Sequence, residues 1–124
     1  METFIINSTD ITPQVTFDPS ENQFEISGRS IPADADQFYS AVHSWLSSFV
    51  KSHKEGISLN MNLEYFNTAS HKYIAELFRM LKESSPESTI NWYYHVDDDE
   101  MKQVGEIFDR IFDLKFNLIT YQDD

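Results

Sequence analysis

Cysteine is absent from the 124-residue chain, which excludes disulfides, thiolate catalysis and zinc sites built on sulfur, and fits a cytoplasmic protein. Glycine and proline are scarce, with three and four residues. No glycine-rich phosphate loop can be assembled from them, and no Gly/Ser/Pro-rich linker or low-complexity tract interrupts the chain. Basic residues are also few: nine Lys and Arg face 21 Asp and Glu, a net charge of −12. Nucleic acids and anionic membrane surfaces are held by clustered Lys and Arg, so this balance argues against both as partners. No apolar run approaches the roughly eighteen residues of a membrane span, and Met1 to Asn7 lacks the basic start and apolar stretch of a signal peptide. The chain reads as soluble and unexported.

Material for a core is plentiful. Apolar residues make up 40% and aromatics 15% of the chain, enough for one domain over residues 1–124 that buries roughly two-thirds of its unfolded surface. The stretch that organises it is Leu63 to Lys72. Before it, Ile57, Leu59, Met61, Leu63 and Tyr65 alternate with Ser58, Asn60, Asn62 and Glu64, the period of a half-buried strand with Tyr65 on the core face. After it, Ile74, Leu77, Phe78 and Leu81 recur at helical spacing. Asn67, Thr68 and Ser70 lie at the junction, where short polar side chains accept hydrogen bonds from a first helical turn.

The flanking chain reads in order. Phe4 to Ile6 is a short edge strand. Val15 and Phe17 make a second strand after Pro13, and residues 18–22 a hairpin turn to the return strand with Phe24 and Ile26. Gly28 to Pro32 reads as a loop into a first helix capped by Asp34 or Asp36. Its buried stripe is Phe38, Val42, Trp45, Leu46, Phe49 and Val50, with Lys51 and Lys54 near its end and Gly56 as a stop. Ser84 to Ser88 breaks the second helix. Ile90, Trp92, Tyr94 and Val96 alternate as a strand, and Asp97 to Glu100 opens a third helix. That helix buries Met101, Val104, Phe108 and Ile111, widened by Ile107 and Phe112. Phe116, Leu118 and Ile119 supply a last strand. A strand, helix and strand in this order imply right-handed parallel crossovers. Four polar residues in a row on one face of the central strand argue against a sheet covered on both sides. The expectation is an α/β domain, a mixed sheet with about three helices mainly on one face.

Chemistry-bearing clusters are sparse. His95 with Asp97 to Glu100 is the only metal-like group; it lacks EF-hand spacing, and carboxylates at a helix start are favoured by the helix dipole alone. A small metal-dependent enzyme built on that run stays open as an alternative. His43, His53, His71 and His95 show no spacing with Ser and Asp that marks nucleophilic catalysis. Phe66 breaks the strand alternation beside Thr68 and offers an exposed docking residue. His71 lies in the first turn of the second helix, and Lys72 lies one turn from Thr68 on the same helix face. Spacing alone leaves Thr68 or Asn67 as simple caps, and a constitutive interaction scaffold is a further alternative.

A resemblance bears on that choice. Thr12 to Asp18, Ile26 to Pro32, Phe38-Tyr39 with Trp45, Leu63 to Lys72, and Trp92 with Asp97-Asp98 and Gly105 together resemble the SiaC family of small regulatory phosphoproteins, related in fold to STAS-type antagonists of anti-sigma factors. The most specific segment is Tyr65-Phe66-Asn67-Thr68-Ala69-Ser70. The resemblance implies a single STAS-like domain in which Thr68 is the phosphate acceptor. Ala69 and His71 stand where serine is common in the family, which disfavours a second acceptor while leaving Ser70 open. It further implies a histidine-kinase-like Ser/Thr kinase and a PP2C-type phosphatase as antagonists, and an unphosphorylated form that binds and activates a diguanylate cyclase. On this reading the chain is not an enzyme and carries no metal or cofactor, and Phe66, Asn67, Thr68, Ser70, His71 and Lys72 form its partner-binding surface.

Overall fold

The computed structural model describes residues 2–123. Six strands, β1 (Phe4–Ile6), β2 (Gln14–Asp18), β3 (Gln23–Ser30), β4 (Ser58–Phe66), β5 (Thr89–His95) and β6 (Lys115–Tyr121), form one sheet in sequential order. β1, β2 and β3 are antiparallel, and β3 through β6 are parallel. The parallel strands are joined by α1 (Ala35–Ser52), α2 (Thr68–Ser84) and α3 (Asp99–Ile111). Successive right-handed crossovers that always step the same way along a sheet place their helices on one side.

The register makes this asymmetry visible. Val15, Ile26, Met61, Trp92 and Leu118 are aligned across five strands on the helix side, and the first four are buried. The next row, Thr16, Glu25, Asn60, Asn91 and Asn117, faces the other way. Its amides pair with each other: Asn91 Nδ2 donates to Ser58 Oγ and Asn60 Oδ1, both at 2.8 Å, and Asn117 Nδ2 donates to Asn91 Oδ1 at 2.9 Å. The polar alternate face of β4 is therefore an amide ladder on a bare sheet face, as its sequence pattern implies.

α1 is capped by Asp34, whose Oδ1 accepts from Gln37 N–H at 3.0 Å, which decides between the two aspartates. Four expectations need correction. Gly28 to Ser30 is not a loop but the end of β3; Gly28 sits at φ +108°, a left-handed value that glycine takes without steric cost. Val96 lies past β5 in a turn and is exposed. Ile107 and Ile111 lie outside the core, because the buried seam of α3 runs Met101, Gly105, Phe108 and then Phe112. Tyr65 is half exposed, for a reason that belongs to the site. Among the described residues, no helix is long and apolar enough to cross a membrane.

Candidate functional site

The strand-to-helix junction is shaped by a bulge. Gly28 pairs with Leu63 and Arg29 with Tyr65, so Glu64 is left over in β4, and an extra residue reverses the sidedness of everything after it. Glu64 and Tyr65 both turn outward, with the Arg29 guanidinium 5.8 Å from the Tyr65 ring. Phe66 turns to the helix side, half-buried, its ring edge-on to Trp92 at 6.2 Å. Phe66, expected to be exposed, is thus half-buried.

Asn67 is the N-cap of α2. Its Oδ1 accepts from Ser70 N–H at 2.9 Å and its carbonyl from His71 N–H at 3.0 Å, while its own N–H donates to Ser30 O at 3.1 Å. Thr68 follows as the first helical residue, exposed to solvent. Among the described residues, the Thr68 hydroxyl and the N–H groups of Thr68 and Ala69 have no hydrogen-bond partner. Two unpaired donors and the positive end of a helix dipole surround one exposed hydroxyl. Removal of the cap by Asn67→Ala is expected to lower stability by about 1 kcal/mol, read as a shift in the urea midpoint at unchanged slope.

Ser70 lies elsewhere. It is fully buried; its Oγ donates to Ser30 O at 3.0 Å and accepts from Ser30 Oγ at 2.8 Å. Ser30 Oγ in turn lies 2.6 Å from Tyr39 Oη. Ser70 is therefore removed from the surface on which it was expected, because its hydroxyl ties α2 to β3 and α1. Ser30 and Tyr39 carry no periodic signal that marks them as its partners. Burial holds the Tyr39 phenol above its ordinary value of 10.0, against the opposing pull of the Ser30 and Ser70 hydroxyls. A group whose folded pKa is raised contributes stability that is complete below its unfolded pKa and lost as pH rises through the folded one. Melting temperature is accordingly expected to fall above about pH 10, and less steeply in Tyr39→Phe.

His71 and Lys72 remain at the surface. The His71 ring stacks on Phe108 at 5.0 Å and on Phe66 at 5.9 Å, and Lys72 Nζ lies 5.4 Å from the Tyr73 ring. Phe66, Asn67, Thr68 and His71 line one shallow depression of about 350 Å³. Four of the six residues expected to form a surface are thus brought together; Lys72 is exposed but turned to Tyr73, and Ser70 is buried.

Two members of the acidic run serve local structure. Asp98 Oδ1 caps α3, accepting from Met101 N–H at 3.0 Å. His95 Nδ1 accepts from Asp97 N–H at 3.1 Å, which leaves the proton on Nε2, 3.1 Å from Asp123 Oδ2. Among the described residues, no three His, Cys, Asp or Glu side chains are grouped to hold a metal ion.

Residues 6–121 match the family model of the SiaC family regulatory phosphoproteins. The chain belongs to the SiaC family. An uncharacterized protein of Pseudomonas aeruginosa (strain UCBPP-PA14) is 23% identical over 106 residues, 83% of this chain and 84% of the relative. SiaC of P. aeruginosa superposes with a TM-score of 0.88 at 22% identity, covering 98% of this chain and 100% of its own. The structure of the P. aeruginosa diguanylate cyclase SiaD with its activator SiaC matches with a TM-score of 0.89 at 21% identity, covering 95% and 99%. At these identities the likeness carries the SiaC fold: a mixed six-stranded sheet under three helices.

Proposed function

We propose that this SiaC-family chain, as a single domain over residues 1–124, is a non-enzymatic cytoplasmic switch. A Ser/Thr kinase of histidine-kinase-like fold phosphorylates Thr68, a PP2C-type phosphatase restores it, and the unphosphorylated form binds and activates a diguanylate cyclase. The observation that carries the reading is Thr68 itself, an exposed hydroxyl with no internal partner among the described residues at the first position of α2. Membership of a phosphoprotein family supports it, as does the description of P. aeruginosa SiaC as the activator of SiaD.

Physical chemistry supports a gate in preference to a refolding event. Phosphorylation adds about −1.5 to −2 charge and three strong acceptors beside two free N–H groups. The dipole interaction is worth about 0.3–2 kcal/mol, small against a domain stability of about 5–15 kcal/mol. The fold persists and the surface changes.

The test is intact-mass and phosphopeptide mapping of the chain from its own cells under two growth conditions, with reconstitution alongside its kinase. Phosphate on Thr68 that varies with condition is the expected result. A chain left bare at Thr68 in cells and by the kinase would sink the switch and leave Thr68 a helix-start residue.

A further inference from the structure

The two edges of the sheet are unequal. At one lies β1, with three residues, and at the other β6, with seven. Tyr121 O accepts from Val96 N–H at 2.8 Å, so the odd-numbered residues of β6 turn their backbone groups to β5, while Phe116, Leu118 and Thr120 turn theirs outward. Such an edge is a template for another strand unless proline, a bulge, several charges or a covering element blocks it. β6 has no proline, pairs with β5 without a break in register, and carries one charge, Lys115, at its first residue.

The edge complements itself in one register. Two copies related by a twofold axis through the sheet run antiparallel there, with opposite residues on the same face. With the axis at Asn117, Phe116 lies opposite Leu118 of the second copy on the helix side, and their outward backbone groups exchange hydrogen bonds. On the bare side Asn117 lies opposite Asn117, and Lys115 lays its stem on Ile119. An axis at Leu118 would instead set Asn117 against Ile119 and Phe116 against Thr120, and one at Phe116 would leave Leu118 to Tyr121 outside the paired stretch. Asn117 Nδ2 donates to Asn91 Oδ1 at 2.9 Å, while its own Oδ1 has no partner among the described residues. Facing residues that share no backbone bond approach to about 4.5 Å between Cα atoms. The two Asn117 amides can therefore bond each other and carry the amide ladder from one sheet into the next.

We infer that the β6 edge takes a second copy of this chain, antiparallel about a twofold axis at Asn117, which joins the two sheets into one. The helices fit this arrangement. A Cβ on Gly105 would meet Trp92 of β5 and Leu118 of β6, so α3 lies over the space between those strands. At about 4.8 Å per strand the two α3 axes then lie about 10 Å apart, a usual packing distance for neighbouring helices. Phe108 meets Phe78 of α2, so by helical phase the flank of α3 turned to the edge carries Lys102, Glu106, Asp109 and Arg110. These charges cancel on a chain of net charge −12, and the two helices meet without an excess of one sign. β5 separates β6 from β4 and its junction with α2, so the pairing leaves Thr68 open and stands independently of the switch.

The experiment is sedimentation equilibrium of the full chain over a concentration series, for wild type and Asn117→Asp, with thiol oxidation of the single-cysteine variants Asn117→Cys and Ile119→Cys. One edge pairing and one helix contact make an interface at the small end of the stable range, so wild type is expected to rise with concentration toward twice 14.5 kDa. Asn117→Asp sets like charges directly opposite each other and is expected to weaken dimerisation about tenfold or more. The chain has no cysteine, so an introduced thiol can bridge only to its own mate. Facing positions about 4.5 Å apart lie within disulfide reach, whereas residue 119 and its mate are separated by about 13 Å along the strand. Asn117→Cys is therefore expected to form a disulfide dimer about tenfold faster or more than Ile119→Cys. A wild type that stays monomeric to about 1 mM overturns the proposal. A dimer indifferent to Asn117→Asp, or bridging at position 119 as fast as at 117, places the interface or its register elsewhere and overturns it as well.

Discussion

Gly105→Val is expected to destabilise the domain by about 3 kcal/mol or more, although it replaces the poorest ordinary helix former in the interior of a helix. A Cβ at position 105 would lie 2.5 Å from Trp92 Cδ1, 2.7 Å from Leu118 Cδ2 and 2.8 Å from Trp92 Nε1, well inside contact distance. The indole cannot move aside: it is 1% exposed and wedged among Phe66, Phe78, Phe108 and Phe116. Its Nε1 also donates to Met101 O at 3.0 Å. The collision must therefore lift α3 from the sheet, at about 1–3 kcal/mol for overpacking. A further 1–3 kcal/mol or so is lost if the buried indole N–H goes unpaired. Gly105→Ala meets the same clash with its Cβ but recovers about 1 kcal/mol of helix propensity, so its net loss is smaller. Denaturant melts of the two variants check this order. Equal stability of Gly105→Val and wild type would mean that α3 is not seated on Trp92.

The same position shows where sequence reasoning stops. The periodicity of Met101, Val104, Phe108 and Ile111 identifies a helix and three-quarters of its phase, but it treats each aliphatic residue as a candidate for the core. Which of two overlapping seams is buried depends on the glycine that lets α3 come down over Trp92, and hydrophobicity scores glycine as nothing. Tyr65 fails for a related reason. Strict alternation places it inward, and only the unpaired Glu64, a feature of pairing with β3, turns it out and Phe66 in. The polar row of β4 was legible because an alternating strand reports both of its faces, and so one bare sheet face could be read directly. Local spacing narrows the cap of α2 to Asn67 or Thr68 and gives the surface position of Thr68, His71 and Lys72, while the choice of Asn67 comes from its bond to the Ser70 N–H. The burial of Ser70 does not follow from spacing, since its partners Ser30 and Tyr39 lie 40 and 31 positions earlier in the numbering and meet it only once α1 and β3 are in place.

Phosphorylation of Thr68 is expected to separate two quantities that most substitutions move together. Stability should stay level or rise by up to about 2 kcal/mol, because the phosphate lands at the positive end of α2 with the Thr68 and Ala69 N–H groups free to receive it. Affinity for the cyclase should fall by about a hundredfold or more. Seating a partner over the depression of Phe66, Asn67, Thr68 and His71 strips water from a near-dianion, and an unpaired buried charge costs about 3–5 kcal/mol, where each 1.4 kcal/mol or so is tenfold in affinity. Lys72, one turn away, recovers part of this, since a single exposed ammonium cannot neutralise two charges. Thr68→Ala removes a hydroxyl that has no internal partner among the described residues together with a methyl group of an exposed side chain, and should bind close to wild type while refusing phosphate. Thr68→Asp, with less charge and fewer acceptors than the phosphate, should fall between them. Calorimetric titration of the four forms, with melting curves for each, tests the separation. A constitutive scaffold would give one affinity for all four. A phosphorylated chain that binds more tightly would reverse the gate, and would require a cationic partner surface facing Thr68.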